Sequence, residues 1–163
     1  MSVLLPLKER PYRPCVGIML INQDNRIFAG QRIDTKLEAW QMPQGGIDEG
    51  ETPLEAAFRE MKEETGTDKA RLLAEHSDWL DYDIPQPLAD KLWDGAFRGQ
   101  TQKWIAMRFT GSDADINIAT EHPEFNQWRW VDPEKLVQMA VPFKQPVYAA
   151  VMDEFAPLLL TSV

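Results

Sequence analysis

The chain has 163 residues, a net charge of −9, 44% hydrophobic residues and one cysteine. That length suits a single domain with its own core, and the lone Cys15 excludes an internal disulfide. No run approaches the roughly 20 apolar residues of a membrane span, and the acidity argues against tight, sequence-independent grip on duplex nucleic acid.

Residues 1–14 hold only a short apolar run, 3–7, followed by charges and prolines, so no cleavable signal is expected. Residues 1–11 read as a flexible N-terminal segment of one domain covering 1–163, and the compartment as cytoplasmic. Strands are expected over 15–21 and 27–31, around the turn Asn22-Gln23-Asp24-Asn25. The stretch 43–50 is too rich in glycine and polar residues for regular structure, and reads as a loop whose backbone approaches a ligand. Thr52 is placed to cap a helix with Pro53 at its first position, Glu55 completing a capping box and Gly66 ending it. Leu54, Ala57, Phe58 and Met61 form the apolar stripe of that helix. Further strands are expected over 72–75, 79–82, 103–109 and 128–131. A short helix opens at Pro133, and a longer one spans 146–155 with Val147, Val151 and Phe155 on one face.

The helix after Thr52 carries the chemistry. Residues three and four apart share a face, so Glu60 lies beside both Glu63 and Glu64. Glu55, Arg59 and Glu63 can form a spaced ion-pair ladder, whereas Glu60 and Glu64 have no base at helical spacing on their side. Crowded carboxylates call for a cation, and magnesium is usually held by one or two carboxylates together with substrate phosphate oxygens. Residues 41–68 hold eight acids against Arg59 and Lys62, most of the net charge, so the acidity is local to this site.

Gly45, Glu51, Arg59, Glu60, Glu63, Glu64 and Gly66, at these spacings, resemble the Nudix box. Thr67 departs from it, standing where an aliphatic residue is usual. The resemblance implies an α/β/α sandwich with a mixed sheet and a hydrolase that cleaves phosphoanhydride bonds with a divalent cation, magnesium first and manganese as an alternative. It implies metal ligation by Glu60, Glu63, Glu64 and Glu124, with Glu63, Glu64 or Glu124 as the catalytic base. Gly45, Glu51, Arg59 and Gly66 would support the site.

The flanks Tyr12-Arg13-Pro14, Trp40 to Gly46, Gln102-Lys103-Trp104, Pro123-Glu124-Phe125, Trp128-Arg129-Trp130 and Val141 to Lys144 are similar to one Nudix group. That group comprises RNA pyrophosphohydrolases and dinucleoside polyphosphate hydrolases. It implies, as substrate, the 5′ end of RNA or a diadenosine polyphosphate split into ATP and AMP. Arg13, Arg32, Lys103 and Lys144 would hold phosphates or a base, Phe143 would stack on a base, and Tyr82, by its distance from the box, would also bind substrate. No tryptophan is assigned to the site. A rival of another class is an inactive nucleotide-binding module on the same scaffold, and the intact box carboxylates weigh against it. No stable duplex partner and no membrane are expected. Oligomeric state and a stimulating protein partner are not legible.

Overall fold

The computed structural model describes residues 4–33 and 39–160. Its strands are β1 (Tyr12–Ile21), β2 (Ile27–Arg32), β3 (Trp40–Gln41), β4 (Gln44–Gly46), β5 (Ala70–Asp83), β6 (Gly99–Phe109) and β7 (Phe125–Val131). Its α-helices are α1 (Pro53–Thr65), α2 (Gln86–Ala89), α3 (Pro133–Met139) and α4 (Gln145–Phe155).

One mixed sheet runs β3-β2-β1-β6-β5, with β4 added on β1 and β7 on β2. β1 and β6 are parallel, pairing from Tyr12–Gly99 to Ile21–Arg108, and the other pairings are antiparallel. Side chains alternate across a strand, and both central strands are buried on both faces. Ile18, Leu20, Ile105 and Met107 meet Ala57 and Met61 of α1 on one side. Met19, Ile21, Trp104 and Ala106 join Leu136 of α3 and Val147, Tyr148, Val151 and Phe155 of α4 on the other. This is the expected α/β/α sandwich, with both helix stripes packed as the periodicity requires.

β1 changes partner along one edge. Ile21 faces Ile27 of β2, whereas Cys15, Val16 and Gly17 face Gly46, Gly45 and Gln44 of β4. The expected loop over 43–50 therefore contains a short strand: the lack of side-chain bulk lets this backbone lie against β1. The two strands expected over 72–75 and 79–82 are one strand, β5, whose register shifts twice against β6. Ser77 at the second shift donates through its backbone N–H and its hydroxyl to Glu154 of α4, at 2.7 and 2.6 Å.

Residues 1–3 lie outside the described residues; the rest of the expected flexible segment makes specific contacts. Arg10 is buried, donates to the Leu5 carbonyl at 2.9 Å and pairs with Asp90. No helix among the described residues is long and apolar enough to cross a membrane.

Candidate active site

A cleft of about 580 Å³ opens where β4 and α1 meet the ends of β5 and β6 and the segment before α4. One wall is acidic. α1 begins as expected: Glu55 N–H donates to Thr52 Oγ1 at 3.1 Å, Thr52 N–H donates to Glu55 Oε1 at 2.9 Å, and Gly66 ends the helix with φ of 78°. The left-handed turn favours glycine there.

Arg59 organises this wall. It donates to both Glu51 oxygens at 2.7 and 2.9 Å, a two-pronged pairing. It also donates to the Gly46 carbonyl at 2.8 Å, tying α1 to β4. Arg59 and Asp48 N–H hold the Glu51 carboxyl down at about 2. The remaining Arg59 nitrogen donates to Glu60 Oε1 at 2.9 Å and more distantly to Glu63 at 3.3 Å. Two expectations change. Glu60 does have a basic neighbour, because Arg59 reaches it from the adjacent position rather than from one turn away. Glu55 serves as the cap, so only the Arg59–Glu63 half of the ladder forms.

Glu60 and Glu64 remain unusual. Burial pushes the Glu60 carboxyl up to about 7, against the opposing pull of Arg59. Glu64 is 3% exposed, and its Oε2 is buried with no hydrogen-bond partner. Burial, then the charges of Glu60 and Glu124, raise it well above the usual carboxylate range. A Cβ on Gly45 would lie 2.0 Å from the Glu60 carboxyl carbon, so only glycine lets Glu60 sit against β4. Glu124 is exposed at the start of β7, yet lines the same cleft as Glu60, Glu63 and Glu64.

A second part of the lining, the other wall, is basic and aromatic. Arg13, Arg32, Tyr82, Phe143 and Lys144 all line it. The Tyr82 and Phe143 rings are 5.8 Å apart. Lys144 is buried, donates to Gln41 Oε1 at 3.3 Å and lies over the Tyr82 ring.

Lys103 does not join them. Gln100 of β6 lines the cleft and Gln102 donates to Gln44 Oε1 at 3.0 Å. Strand alternation turns Lys103 to the other face, opposite Trp79 of β5. The sequence reading also missed Gln41, Gln100, Trp40 and Trp93, which line the cleft together with Gln44. Only Trp40, Gln41 and Gln44, adjoining the box, had a local signal.

The acidic wall fits a divalent cation on two observations. Glu64 Oε2 is a buried oxygen without a donor, and the Gly45 cradle keeps the Glu60 carboxylate beside it on the same helix face. Among the described residues, no three acidic groups already converge as a closed metal cage.

The chain is similar to known proteins over most of its length. The chain is 58% identical over 147 residues to an RNA pyrophosphohydrolase of Roseobacter denitrificans, covering 89% of this chain and 92% of that protein. It is 56% identical over 151 residues to an RNA pyrophosphohydrolase of Rickettsia rickettsii, covering 93% and 94%. Among solved structures, the fold is similar to the E. coli dihydroneopterin triphosphate pyrophosphohydrolase, with TM-score 0.66, 22% identity, and 88% and 97% coverage. It is also similar to a C. elegans Ap4A hydrolase, with TM-score 0.61, 17% identity, and 88% and 98% coverage. The NUDIX domain family matches residues 11–151, which takes in β1, the acidic wall and most of α4, and the chain belongs to that family.

Proposed function

We propose that this chain removes pyrophosphate, or successive phosphates, from the 5′-triphosphate end of RNA, leaving a 5′-monophosphate and so initiating decay of the transcript. The observation that carries this reading is the identity of 56–58% to proteins named RNA pyrophosphohydrolase, over nearly the whole chain. The cleft supports it, with carboxylates on one wall and cations and rings on the other. The reading treats the chain as one hydrolase domain working in the cytoplasm on single-stranded ends, without stable duplex binding.

Hydrolases of this family use divalent cations; magnesium is the ion proposed here, with manganese as the alternative. Glu60 and Glu64 would hold it, with Glu63 and Glu124 as further ligands. Bound there, the ion would neutralise charge on the phosphoryl oxygens. Arg59 keeps Glu60 and Glu51 in place. Arg13, Arg32 and Lys144 attract the polyphosphate, and Tyr82 with Phe143 offers a surface for a base. A water oxygen bonds to phosphorus, the anhydride bond breaks, and the water proton passes to a carboxylate. Glu63 and Glu124 are the carboxylates left for that proton. The variant, Glu63→Gln or Glu124→Gln, that flattens the acidic side of the pH–rate profile identifies the base.

The test supplies triphosphorylated RNA with two or more unpaired 5′ nucleotides, and separately diadenosine tetraphosphate, each with magnesium. Higher kcat/KM on RNA, with pyrophosphate or phosphate released, is expected. Faster release of ATP and AMP from the dinucleotide would replace this reading with a dinucleoside polyphosphate hydrolase. Inactivity on both would revive the binding module.

A further inference from the structure

Trp93 stands on the rim of the cleft in a conformation that needs an explanation. Trp93, Asp94 and Gly95 have consecutive φ values of 49°, 57° and 75°. Left-handed backbone is uncommon in residues with a side chain, and for a bulky one it is an outlier. Such residues cluster at active sites and ligand clamps. Among the described residues three non-glycine positions have positive φ: Asn25 in the β1–β2 turn, and this pair.

Its surroundings are those of a binding surface. Trp93 is half-buried and lines the cleft. Phe97 meets it edge-on at 5.8 Å and fixes its angle. The Arg13 guanidinium lies over its ring, 5.0 Å from the centroid. Arg13 also sits so close to β4 that a Cβ on Gly46 would come within 2.3 Å of Nη2. Arg13 thus joins β4 to an aromatic rim on a different element from Tyr82 and Phe143. Trp93 also packs against the hydrophobic core, but core packing alone needs neither a left-handed backbone nor a guanidinium laid on its face at the mouth of a polar cleft.

We propose that Trp93, with Arg13 upon it, forms a second nucleobase platform, so that the cleft reads two nucleosides joined through phosphates rather than one. Stacking on an aromatic or guanidinium surface tolerates any base, because every base has a π-face. Selectivity then comes from the number of nucleosides, which favours RNA ends and dinucleotides over free nucleoside triphosphates. The proposal rests on the functional reading above for its choice of substrate.

The test compares wild type, Trp93→Ala and Trp93→Phe. Equilibrium binding of the dinucleotide 5′-triphosphate pppApG and of ATP is measured in calcium, and kcat/KM for pppApG in magnesium. Base stacking predicts that wild type binds pppApG about tenfold more tightly than ATP. Trp93→Ala should reduce that margin to within about twofold, and Trp93→Phe should retain most of it. No margin in wild type, a margin that survives Trp93→Ala, or equal failure of both variants overturns the platform. Failure of wild type to cleave pppApG counts against the RNA reading alone, because the binding margins still decide the platform.

Discussion

The two walls of the cleft are built on opposite plans. The acidic wall comes from one helix and the segment just before it, joined by Glu124 from the residue before β7, and a single residue, Arg59, ties Glu51, Glu60, Glu63 and the Gly46 carbonyl together. The basic and aromatic wall is gathered from β1, β2, β5, the segment after α2 and the segment before α4. A wired array on one rigid element suits chemistry, where a small misplacement of a carboxylate is costly. Separate contributions from distant segments suit recognition, where each contact adds affinity with less dependence on its neighbours. The comparison predicts that changes on the acidic wall reduce kcat and metal affinity, and that changes on the other wall raise KM.

The largest effect is expected from Gly45→Ala. The new Cβ would overlap the Glu60 carboxyl group, and turnover should fall by more than about a hundredfold, beyond what loss of an outer supporting residue costs. Circular dichroism should report a retained fold; near-normal turnover would break the account of the cradle. Arg59→Ala comes next. Magnesium titration should show affinity weaker by roughly ten- to a hundredfold, with much of kcat regained at high magnesium. Arg59→Lys should rescue little, because an ammonium cannot make the two-pronged pairing with Glu51.

On the basic and aromatic wall, Lys144→Ala should raise KM for triphosphorylated RNA about tenfold, the scale of one charge-assisted contact, with kcat changed far less. A matching collapse of kcat would erase the distinction between the walls.

A pH experiment sharpens it further. The Glu60 carboxyl sits at about 7, chiefly through burial, above its ordinary 4.5. Between those values the folded protein keeps a proton that the unfolded chain has released, so stability falls as pH rises. The metal-free protein should therefore melt at higher temperature near pH 5 than near pH 8, with the decline running through about 7. Magnesium should reduce that slope by favouring the charged form. A metal-free melting temperature that rises over this interval would contradict the burial of these carboxylates. The smallest effect is Asp94→Gly, which relieves an exposed left-handed residue. A gain below about 1 kcal/mol is expected, seen as a rise of roughly one to three degrees in Tm.

The same contrast explains what could be read from the sequence. The helix cap, the Gly66 stop and the proximity of Glu60 to Glu64 depend on residues close in the chain, and spacing reveals them; the support that Arg59 gives the site comes only from the family resemblance. The core strands announce themselves by their apolar runs. By contrast, β4 exists because Gln44, Gly45 and Gly46 pair with Gly17, Val16 and Cys15, a distant partnership that glycine-rich composition hides. Lys103 is expected as a phosphate ligand because it is a cation in a flank similar to the Nudix group; which face it takes is set by the register of β6 against β1 and β5. Trp93 carries no local signal, since its position follows from the backbone between α2 and β6 and from contact with Arg13 and Phe97.

The central claim is that the acidic wall performs the hydrolysis while the other wall holds the substrate. Glu64→Gln tests it most directly: RNA affinity and single-turnover cleavage are measured on the same preparation in saturating magnesium. The account predicts affinity within about threefold of wild type and cleavage slower by more than about a hundredfold. Near-normal cleavage, or an equal loss of affinity and rate, would contradict it.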